Sequence, residues 1–237
     1  MTADFHTHIL PGVDDGSKNT DQSLQMLRLC RDAGIRHVVL TPHFYPDRDQ
    51  PDRFLERRNG ALEAVKKAAA GEQLPEMILG AEVHYFPNMS SSDVLPRLTI
   101  GGSRYLLVEM PSCRWTDRMY RELEKIRENQ GIIPIIAHLD RYLTPCRAGE
   151  MLRRISELPV LVQVNGSFFL RPGTAGLAMR MLKNGQIHLL GSDCHNLDDR
   201  SPNLGQVRQR IHTKLGTEAL ERIGYYEQYI LTGGKKS

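Results

Sequence analysis

Asp4-Phe5-His6-Thr7-His8, near the start of the chain, ends in two histidines, and Gly191-Ser192-Asp193-Cys194-His195-Asn196 follows a short apolar run near the other end. Side chains alternate along a β-strand, so His6 and His8 point to the same side if the first stretch is a strand. That geometry suits a shared cation. The two stretches are therefore predicted to form two walls of one metal site.

Length and composition limit the fold and the partners. The chain has 237 residues, of which 40% are hydrophobic. This predicts one single-core domain over residues 1–237. The 31 basic and 28 acidic residues leave a net charge of +3. Such a balance gives no reason to expect a nucleic-acid partner, and no basic, aromatic-lined stretch suggests one.

The spacing of the cysteines and the length of the apolar runs indicate the cellular compartment of the protein. The four cysteines (Cys30, Cys113, Cys146 and Cys194) are scattered without paired spacing, so neither a disulfide framework nor a thiolate zinc site is indicated. No apolar run approaches the roughly 18 residues of a membrane span, and the N-terminus fits no secretory signal. The pattern predicts a cytoplasmic protein without stable membrane insertion.

Short apolar runs alternate with amphipathic stretches along the chain. Such alternation predicts a parallel sheet, and about seven units predict a closed or nearly closed barrel. The predicted strands are Asp4–His8, His37–Thr41, Met77–Glu82, Tyr105–Glu109, Ile132–His138, Val160–Val164 and His188–Ser192.

Helix signals lie between these strands. Asn19 or Thr20 can cap a helix that buries Leu24, Leu27 and Cys30, and Gly34 can end it in a left-handed conformation. A second apolar stripe is formed by Met119, Leu123 and Ile126. The last stretch, about 224–237, is tyrosine-rich and then reads Gly-Gly-Lys-Lys-Ser, which predicts a flexible tail or a partner contact.

Ligand-type side chains recur where the predicted strands end, which is where barrel proteins place their chemistry. Imidazoles and carboxylates without thiolates favour zinc, manganese or iron, and this many carboxylates suggest a site with more than one ion. The candidates at or beyond these strand ends are His6, His8, Asp14, Asp15, His43, Glu82, Glu109, His138, Asp193 and His195.

Each of these residues taken alone has an ordinary explanation, because a lone histidine or glutamate after a strand is commonly a solvated loop residue. Repetition at successive strand ends argues for a site. His84 shares the face of Glu82 and is at best a substrate-side residue. The other histidines (His37, His188 and His212) are interpreted as structural or surface residues.

The chain resembles the polymerase and histidinol phosphatase (PHP) superfamily, and within it the bacterial manganese-dependent protein-tyrosine phosphatases of capsule and exopolysaccharide operons. The resemblance runs in order from residue 4 to about 200. It is carried by Asp4–His8, Val13-Asp14-Asp15-Gly16, Thr41-Pro42-His43, Gly80-Ala81-Glu82, Ala137-His138 with Arg141-Tyr142, Gln163-Val164-Asn165-Gly166-Ser167 and Ser192–Asn196.

The resemblance implies a distorted (β/α)7 TIM-like barrel, the PHP fold, with two or three divalent ions at its C-terminal face. The expected metal is Mn²⁺, with Fe or Zn as alternatives. The family's second aspartate is the ligand, which selects Asp15 over Asp14, and Arg141 and Arg200 match its phosphate-side arginines. The implied ligands are His6, His8, Asp15, His43, Glu82, Glu109, His138, Asp193 and His195.

Two positions depart from the family pattern. Leu139-Asp140 stands where Pro-Glu is more common, and Phe44 stands where a second histidine is common. Neither change removes an implied ligand, so the departures bear on substrate preference and not on metal binding.

The implied chemistry is hydrolysis of a phosphomonoester. Metal ions lower the pKa of a bridging water so that hydroxide forms near neutral pH, and they hold the phosphate for attack. Arg141 and Arg200 can grip the remaining phosphoryl oxygens. Phenol has a pKa of about 10, so a phenolate leaves with little protonation, which suits tyrosine phosphate.

A thiolate mechanism is a competing hypothesis. Cys194 and Arg200 satisfy the spacing of cysteine phosphatases, as do Cys30 and Arg36. That mechanism also needs a loop of inward N–H groups, usually rich in glycine, to cradle the phosphate. The stretch between Cys194 and Arg200 has no glycine and carries two carboxylates, so the thiolate mechanism is disfavoured.

Three functions stay open at the level of sequence. The leading one is a phosphatase for a phosphotyrosine-bearing protein, which by resemblance is the tail of a bacterial tyrosine kinase in exopolysaccharide or capsule synthesis. The second is a small-metabolite phosphatase, for a substrate such as histidinol phosphate, or a phosphodiesterase. The third is a non-catalytic binding protein, which would be expected to have lost ligands.

Overall fold

The computed structural model describes residues 2–143 and 148–233, so Cys146 lies outside the described residues. Every predicted strand is present: Tyr105–Glu109 has the predicted bounds, two strands are shifted by one residue, three are shorter than predicted, and Met77–Glu82 divides in two. The strands are β1 (Ala3–Thr7), β2 (His37–Leu40), β3 (His43–Phe44), β4 (Glu76–Leu79), β5 (Glu82–His84), β6 (Tyr105–Glu109), β7 (Ile133–Ile136), β8 (Leu161–Asn165) and β9 (Leu189–Gly191).

All paired strands run parallel and form two sheets, with orders β1-β2-β4 and β3-β5-β6-β7-β8-β9. Two barrel positions hold a broken strand: β2 is followed by β3, and β4 by β5. The first halves of the broken strands belong to the sheet of β1, where β2 pairs with β1 and β4 pairs with β2. The second halves belong to the other sheet, where β3 pairs with β5 and β5 pairs with β6. If each broken strand counts once, seven barrel positions result. The predicted distorted (β/α)7 barrel is confirmed.

The barrel closes between its first and last strands, beside the two opening motifs. The backbone N–H of His8 donates to the carbonyl of Cys194 over 2.9 Å, and that of Asp193 donates to the carbonyl of His6 over 2.8 Å. The buried Asp4 carboxylate accepts a further bond of 2.8 Å from the N–H of Ser192. These bonds bring stretches from the two ends of the chain side by side.

Helices cover the outside of the sheet, and the first begins as predicted. Asn19 caps α1 by accepting from the N–H of Gln22 over 2.9 Å, and Gly34 beyond its end has a φ of 77°. The helices are α1 (Thr20–Asp32), α2 (Pro51–Ala68), α3 (Leu95–Leu98), α4 (Asp117–Gln130), α5 (Ala148–Ser156), α6 (Gly166–Leu170), α7 (Pro172–Lys183), α8 (Leu204–Leu215) and α9 (Thr217–Leu231).

The prediction of a flexible tail from residue 224 is wrong for residues 224–231. Residues 224–231 continue α9, because Ile230 is buried against a cluster that includes Phe5 and Leu107. Glu227 is fully buried and accepts a hydrogen bond of 2.9 Å from Arg208 of α8. The tyrosines that suggested a tail therefore lie on a packed helix. Residues 234–237 lie outside the described residues.

None of the helices in residues 2–143 and 148–233 combines the length and apolar character that a membrane crossing requires.

Candidate metal centre

All nine predicted ligands meet at the C-terminal mouth of the barrel. His6 and His8 come from the end of β1, His43 from β3, Glu82 from β5 and Glu109 from β6. The other four lie in segments that follow a strand: Asp15, His138, Asp193 and His195. Within the described residues, three overlapping groups have ligand atoms close enough to share an ion: His8, Asp15, His43 and His195; His6, His8 and Asp193; and His43, Glu82 and Glu109.

The deepest part of the centre is formed by the β1 histidines and two carboxylates. The Nε2 atoms of His6 and His8 lie 3.0 Å apart. Glu82 Oε2 lies 3.1 Å from the first and 3.4 Å from the second, and Asp193 Oδ1 lies 3.6 Å and 3.5 Å from them. Lone-pair atoms that face each other at these distances are arranged for a common cation.

The outer part is formed by His43, His195 and Asp15. Asp15 Oδ1 lies 3.5 Å from Nε2 of each of these two histidines, although the aspartate itself is 66% exposed. His43 Nδ1 faces the other way and lies 2.9 Å from Glu82 Oε2. Glu82 thus stands between the inner and outer parts.

His138 completes the ring on the far side of Glu82. Its Nε2 lies 2.7 Å from Glu82 Oε1 and 3.5 Å from Glu109 Oε1. His138 and Asp193 both adopt left-handed backbone conformations, with φ of 31° and 54°. Such conformations are rare outside glycine and tend to mark functional sites.

The donor set fits divalent metal ions. Glu82 Oε2, His43 Nδ1 and His195 Nε2 are buried and make no geometrically acceptable hydrogen bond. Buried polar atoms without a partner cost free energy, and a coordinated cation removes that cost. The three groups contain imidazole nitrogens and carboxylate oxygens and no thiolate. Such donors suit manganese, iron or zinc.

The carboxylates strongly perturb the histidines of the centre. Burial disfavours the charged form of His8, but the hydrogen bond to Asp14 and the negative charges of Asp14 and Glu82 outweigh it and raise its pKa to about 10. Burial likewise opposes charge on His138, whose pKa the glutamates raise to about 9. Burial and the positive charge of His8 lower the pKa of His195 to about 4. Since ligating imidazoles must be deprotonated, metal binding and proton release are coupled here.

Asp14 positions two of the histidines. Its Oδ2 accepts from His8 Nδ1 over 2.7 Å and from the N–H of His43 over 2.9 Å. A Cβ at Gly16 would stand 2.1 Å from the His8 carbonyl oxygen, so only glycine lets this loop approach so closely. Asp14 therefore orients His8 and His43, while Asp15 faces His43 and His195.

Strand β8 supplies amides instead of ligands, and sequence reasoning gave them no role. Gln163 Oε1 accepts from the N–H of His138 over 2.6 Å and lies 3.2 Å from His6 Nδ1. Because Nδ1 donates there, the lone pair of His6 stays on Nε2, which faces the centre. A Cβ at Gly191 would stand 2.5 Å from Gln163 Nε2, so this glycine makes room for the amide.

We expect Gln163→Leu to weaken Mn²⁺ binding by about 10- to 100-fold, because His6 loses the acceptor that fixes its tautomer. Isothermal titration with Mn²⁺ measures the change. Gln163→Glu keeps an acceptor oxygen and should lose less affinity. Gln206→Leu, at an exposed position of α8, is the matched control. An unchanged Mn²⁺ affinity in Gln163→Leu would show that Gln163 does not contribute to metal binding.

The two predicted arginines lie at the rim and bracket one carboxylate. Arg141 and Arg200 each donate to Asp193, the first to Oδ2 and the second to Oδ1 over 2.8 Å. Asn165 donates to Oδ2 as well, over 2.8 Å. The arginine side chains are 39% and 36% exposed. A guanidinium has five N–H donors, so both keep donors for an anion at the mouth.

Cys194 is placed unsuitably for nucleophilic attack. The residue is fully buried, and burial together with the neighbouring Asp4 raises the pKa of its thiol well above the usual range. A thiol of this kind is inert, because the thiolate is the nucleophile. Cys30 is equally buried, and burial raises its pKa too.

We expect Cys194→Ser to keep most of any hydrolytic activity, within about threefold, since the change is small and no step uses the thiol. The assay is steady-state hydrolysis of p-nitrophenyl phosphate with bound metal quantified in parallel. Complete loss of turnover at full metal content would restore the thiolate hypothesis.

A distorted (β/α)7 barrel with histidines and carboxylates gathered at its C-terminal mouth places the chain in the PHP class. The chain belongs to the CpsB/CapC family of capsular polysaccharide synthesis, whose sequence profile matches residues 2–231.

Individual relatives agree with this assignment. The tyrosine-protein phosphatase CpsB of Streptococcus pneumoniae is 27% identical over 243 residues, which cover 93% of each chain. The putative tyrosine-protein phosphatase CapC of Staphylococcus aureus is 27% identical over 244 residues, which cover 99% of this chain and 92% of the relative.

A solved structure also matches over the whole chain. It comes from work on YwqE of Bacillus subtilis and CpsB of Streptococcus pneumoniae, described as unique metal-dependent tyrosine phosphatases. The TM-score is 0.85 at 20% identity, with coverage of 100% of this chain and 96% of the other. At this identity, the match establishes the shared fold.

Proposed function

We propose that this protein is a metal-dependent phosphomonoester hydrolase that removes phosphate from phosphotyrosine in proteins. One observation carries the proposal: nine ligand-type side chains converge at the barrel mouth with two partly exposed arginines beside them. Metal ligands alone would suit many hydrolases. The added guanidinium groups match the doubly charged phosphate of a monoester.

The residues divide the work of hydrolysis. The nine ligand positions His6, His8, Asp15, His43, Glu82, Glu109, His138, Asp193 and His195 would hold the ions. Divalent ions held there would supply an activated water and neutralise charge on the phosphoryl oxygens. Arg141 and Arg200 bind and orient the phosphate from the β7 and β9 side, because Asp193 fixes both guanidinium groups in place.

The leaving group decides the substrate class. Protonation of an alkoxide needs a well-placed acid, whereas a phenolate, whose conjugate acid has a pKa of about 10, departs with little help. The rim residues nearest the ligands include two arginines, which stay protonated and are poor proton donors. A phosphotyrosine ester therefore suits this centre better than an alkyl phosphate.

We propose further that two or three divalent ions occupy the centre, with Mn²⁺ as the working metal. The overlap of three ligand groups through His8 and His43 supports more than one ion. The proposed partner is the tyrosine-rich tail of a bacterial tyrosine kinase in capsule or exopolysaccharide synthesis. The family description and the names of the relatives support that setting. A cytoplasmic location stays a prediction.

The test is hydrolysis by chelator-stripped protein that is resupplied separately with Mn²⁺, Fe²⁺ or Zn²⁺. Four substrates are compared: p-nitrophenyl phosphate, a phosphotyrosine peptide, histidinol phosphate and a single-stranded oligonucleotide. We expect metal to restore turnover, with the peptide preferred over histidinol phosphate. Activity that survives complete chelation would exclude the metal mechanism. A preference for histidinol phosphate or for the oligonucleotide would contradict the proposed phosphotyrosine substrate and identify the preferred compound as the substrate class.

A further inference from the structure

A small cleft opens beside the candidate metal centre, on the side away from the two arginines. Its volume is about 370 Å³. One wall is the segment that follows β3, with Tyr45 and Arg48, and the other is the end of β5 and the segment beyond it, with His84 and Phe86. Neither wall contributes a predicted ligand, and the volume is at the lower end of the range for small-molecule sites.

Tyr45 lies where this cleft meets the metal centre. Its ring stacks on the His43 ring at 5.2 Å between centroids and 25° between planes, and the His84 ring lies 5.6 Å away. The guanidinium of Arg48 lies 5.4 Å from the centroid of the Tyr45 ring. Arg48 is also paired with Asp47, another lining residue, at 3.7 Å. The cleft therefore presents aromatic rings that favour another aromatic ring.

The segment that carries Tyr45 is held in one conformation. The N–H of Tyr45 donates to Asp49 Oδ2 over 2.9 Å, and its carbonyl accepts from the N–H of Asp49 over 2.7 Å. Asp49 is in turn paired with Arg57 of α2 at 3.1 Å. These bonds tie the segment to the first turns of α2, so the aromatic surface is formed before any ligand arrives.

The cleft is continuous with the centre through two contacts. Tyr45 packs on His43, and His84 Nδ1 lies 3.2 Å from Glu109 Oε2. The arginines approach from β7 and β9, across the mouth from β3 and β5. A phosphate between the ions and the arginines would thus have its ester substituent free to point toward Tyr45.

We propose that the cleft lined by Tyr45, Arg48, His84 and Phe86 binds the phenyl ring of phosphotyrosine, with Tyr45 as the stacking surface that gives the enzyme its preference for aryl esters. This inference rests on the proposed function and adds a specificity site to it.

The test uses two non-hydrolysable ligands with the same anionic head, phenylphosphonate and methylphosphonate. Calorimetric titration of the Mn²⁺-loaded protein gives both affinities. We expect phenylphosphonate to bind about three- to tenfold more tightly, as one aromatic contact provides. Tyr45→Ala should reduce that ratio to about one, with methylphosphonate affinity unchanged. Tyr45→Phe should preserve the ratio, as should Tyr225→Ala at an exposed site on α9.

Three results would overturn the proposal. The first is an equal affinity of the wild-type protein for both phosphonates, and the second is a phenyl preference that survives in Tyr45→Ala. The third is a parallel loss of both affinities and of bound metal in Tyr45→Ala, which would make Tyr45 only a support for His43. Turnover of p-nitrophenyl phosphate is measured on the same samples. Its absence in the wild-type protein refutes the proposed function, whereas wild-type turnover without any preference for phenylphosphonate refutes the cleft alone.

Discussion

His6→Ala is expected to lower turnover of p-nitrophenyl phosphate by at least about 10⁴-fold and to lower the metal content of the purified protein. The side chain is fully buried, and its Nε2 lies within 3.6 Å of His8, Glu82 and Asp193. Its removal takes one nitrogen donor from the group formed with His8, Glu82 and Asp193, so that a metal ion there would have one ligand fewer. Gln163, which lies beside His6, offers only an amide in its place.

The measurement combines steady-state kinetics with metal analysis and circular dichroism. The fold should persist, because the apolar contacts of β1 are made by Phe5 and Ala3 and not by the histidine. His212→Ala, on the exposed face of α8, is the matched control and should keep full activity. An active His6→Ala protein with normal kinetics would contradict the whole assignment of the centre.

The ligand positions could be predicted because they depend on local rules. Alternation along β1 places His6 and His8 on one side, and parallel strands bring their carboxyl ends to one edge. Glu82 and Glu109 followed from the same reasoning. These candidate positions can be predicted once the end of each strand is known, and the apolar runs in the sequence locate those ends.

The broken strands could not be predicted in the same way. The run Met77–Glu82 was interpreted as one strand, yet it divides into β4 and β5 around Gly80 and Ala81. A Cβ at Gly80 would lie 3.3 Å from Ile100 and 3.4 Å from Thr41, so the break is fixed by packing against distant segments. Tertiary packing of this kind leaves no periodic signal in the sequence.

The role of Asp193 was also only partly visible. Its place beside His195 makes it a candidate ligand, but its pairing with both Arg141 and Arg200 depends on loops that meet only in the folded barrel. For the same reason, Asp14 and Gln163 could not be recognised as residues that orient histidines. Their hydrogen bonds join β1 to its following loop and to β8.

Arg141→Met and Arg200→Met are each expected to lower kcat/KM for p-nitrophenyl phosphate by about 10²- to 10³-fold, with bound metal largely retained. Each variant removes one guanidinium that would neutralise the phosphoryl oxygens. Lysine variants should recover part of the loss, because an ammonium supplies charge but cannot bind two oxygens side by side. Arg153→Met, at an exposed position of α5, is the matched control.

The double variant separates phosphate binding from support of Asp193. If both arginines bind the same phosphate and hydrogen-bond to the same carboxylate, their effects are coupled. The fold-decrease in kcat/KM of the double variant should then be smaller than the product of the two single fold-decreases. Full multiplicative loss would mean that they act independently. A large drop in bound metal in either single variant would assign the arginines to holding Asp193. A fall in kcat/KM at constant metal content is the result that places them on the phosphate.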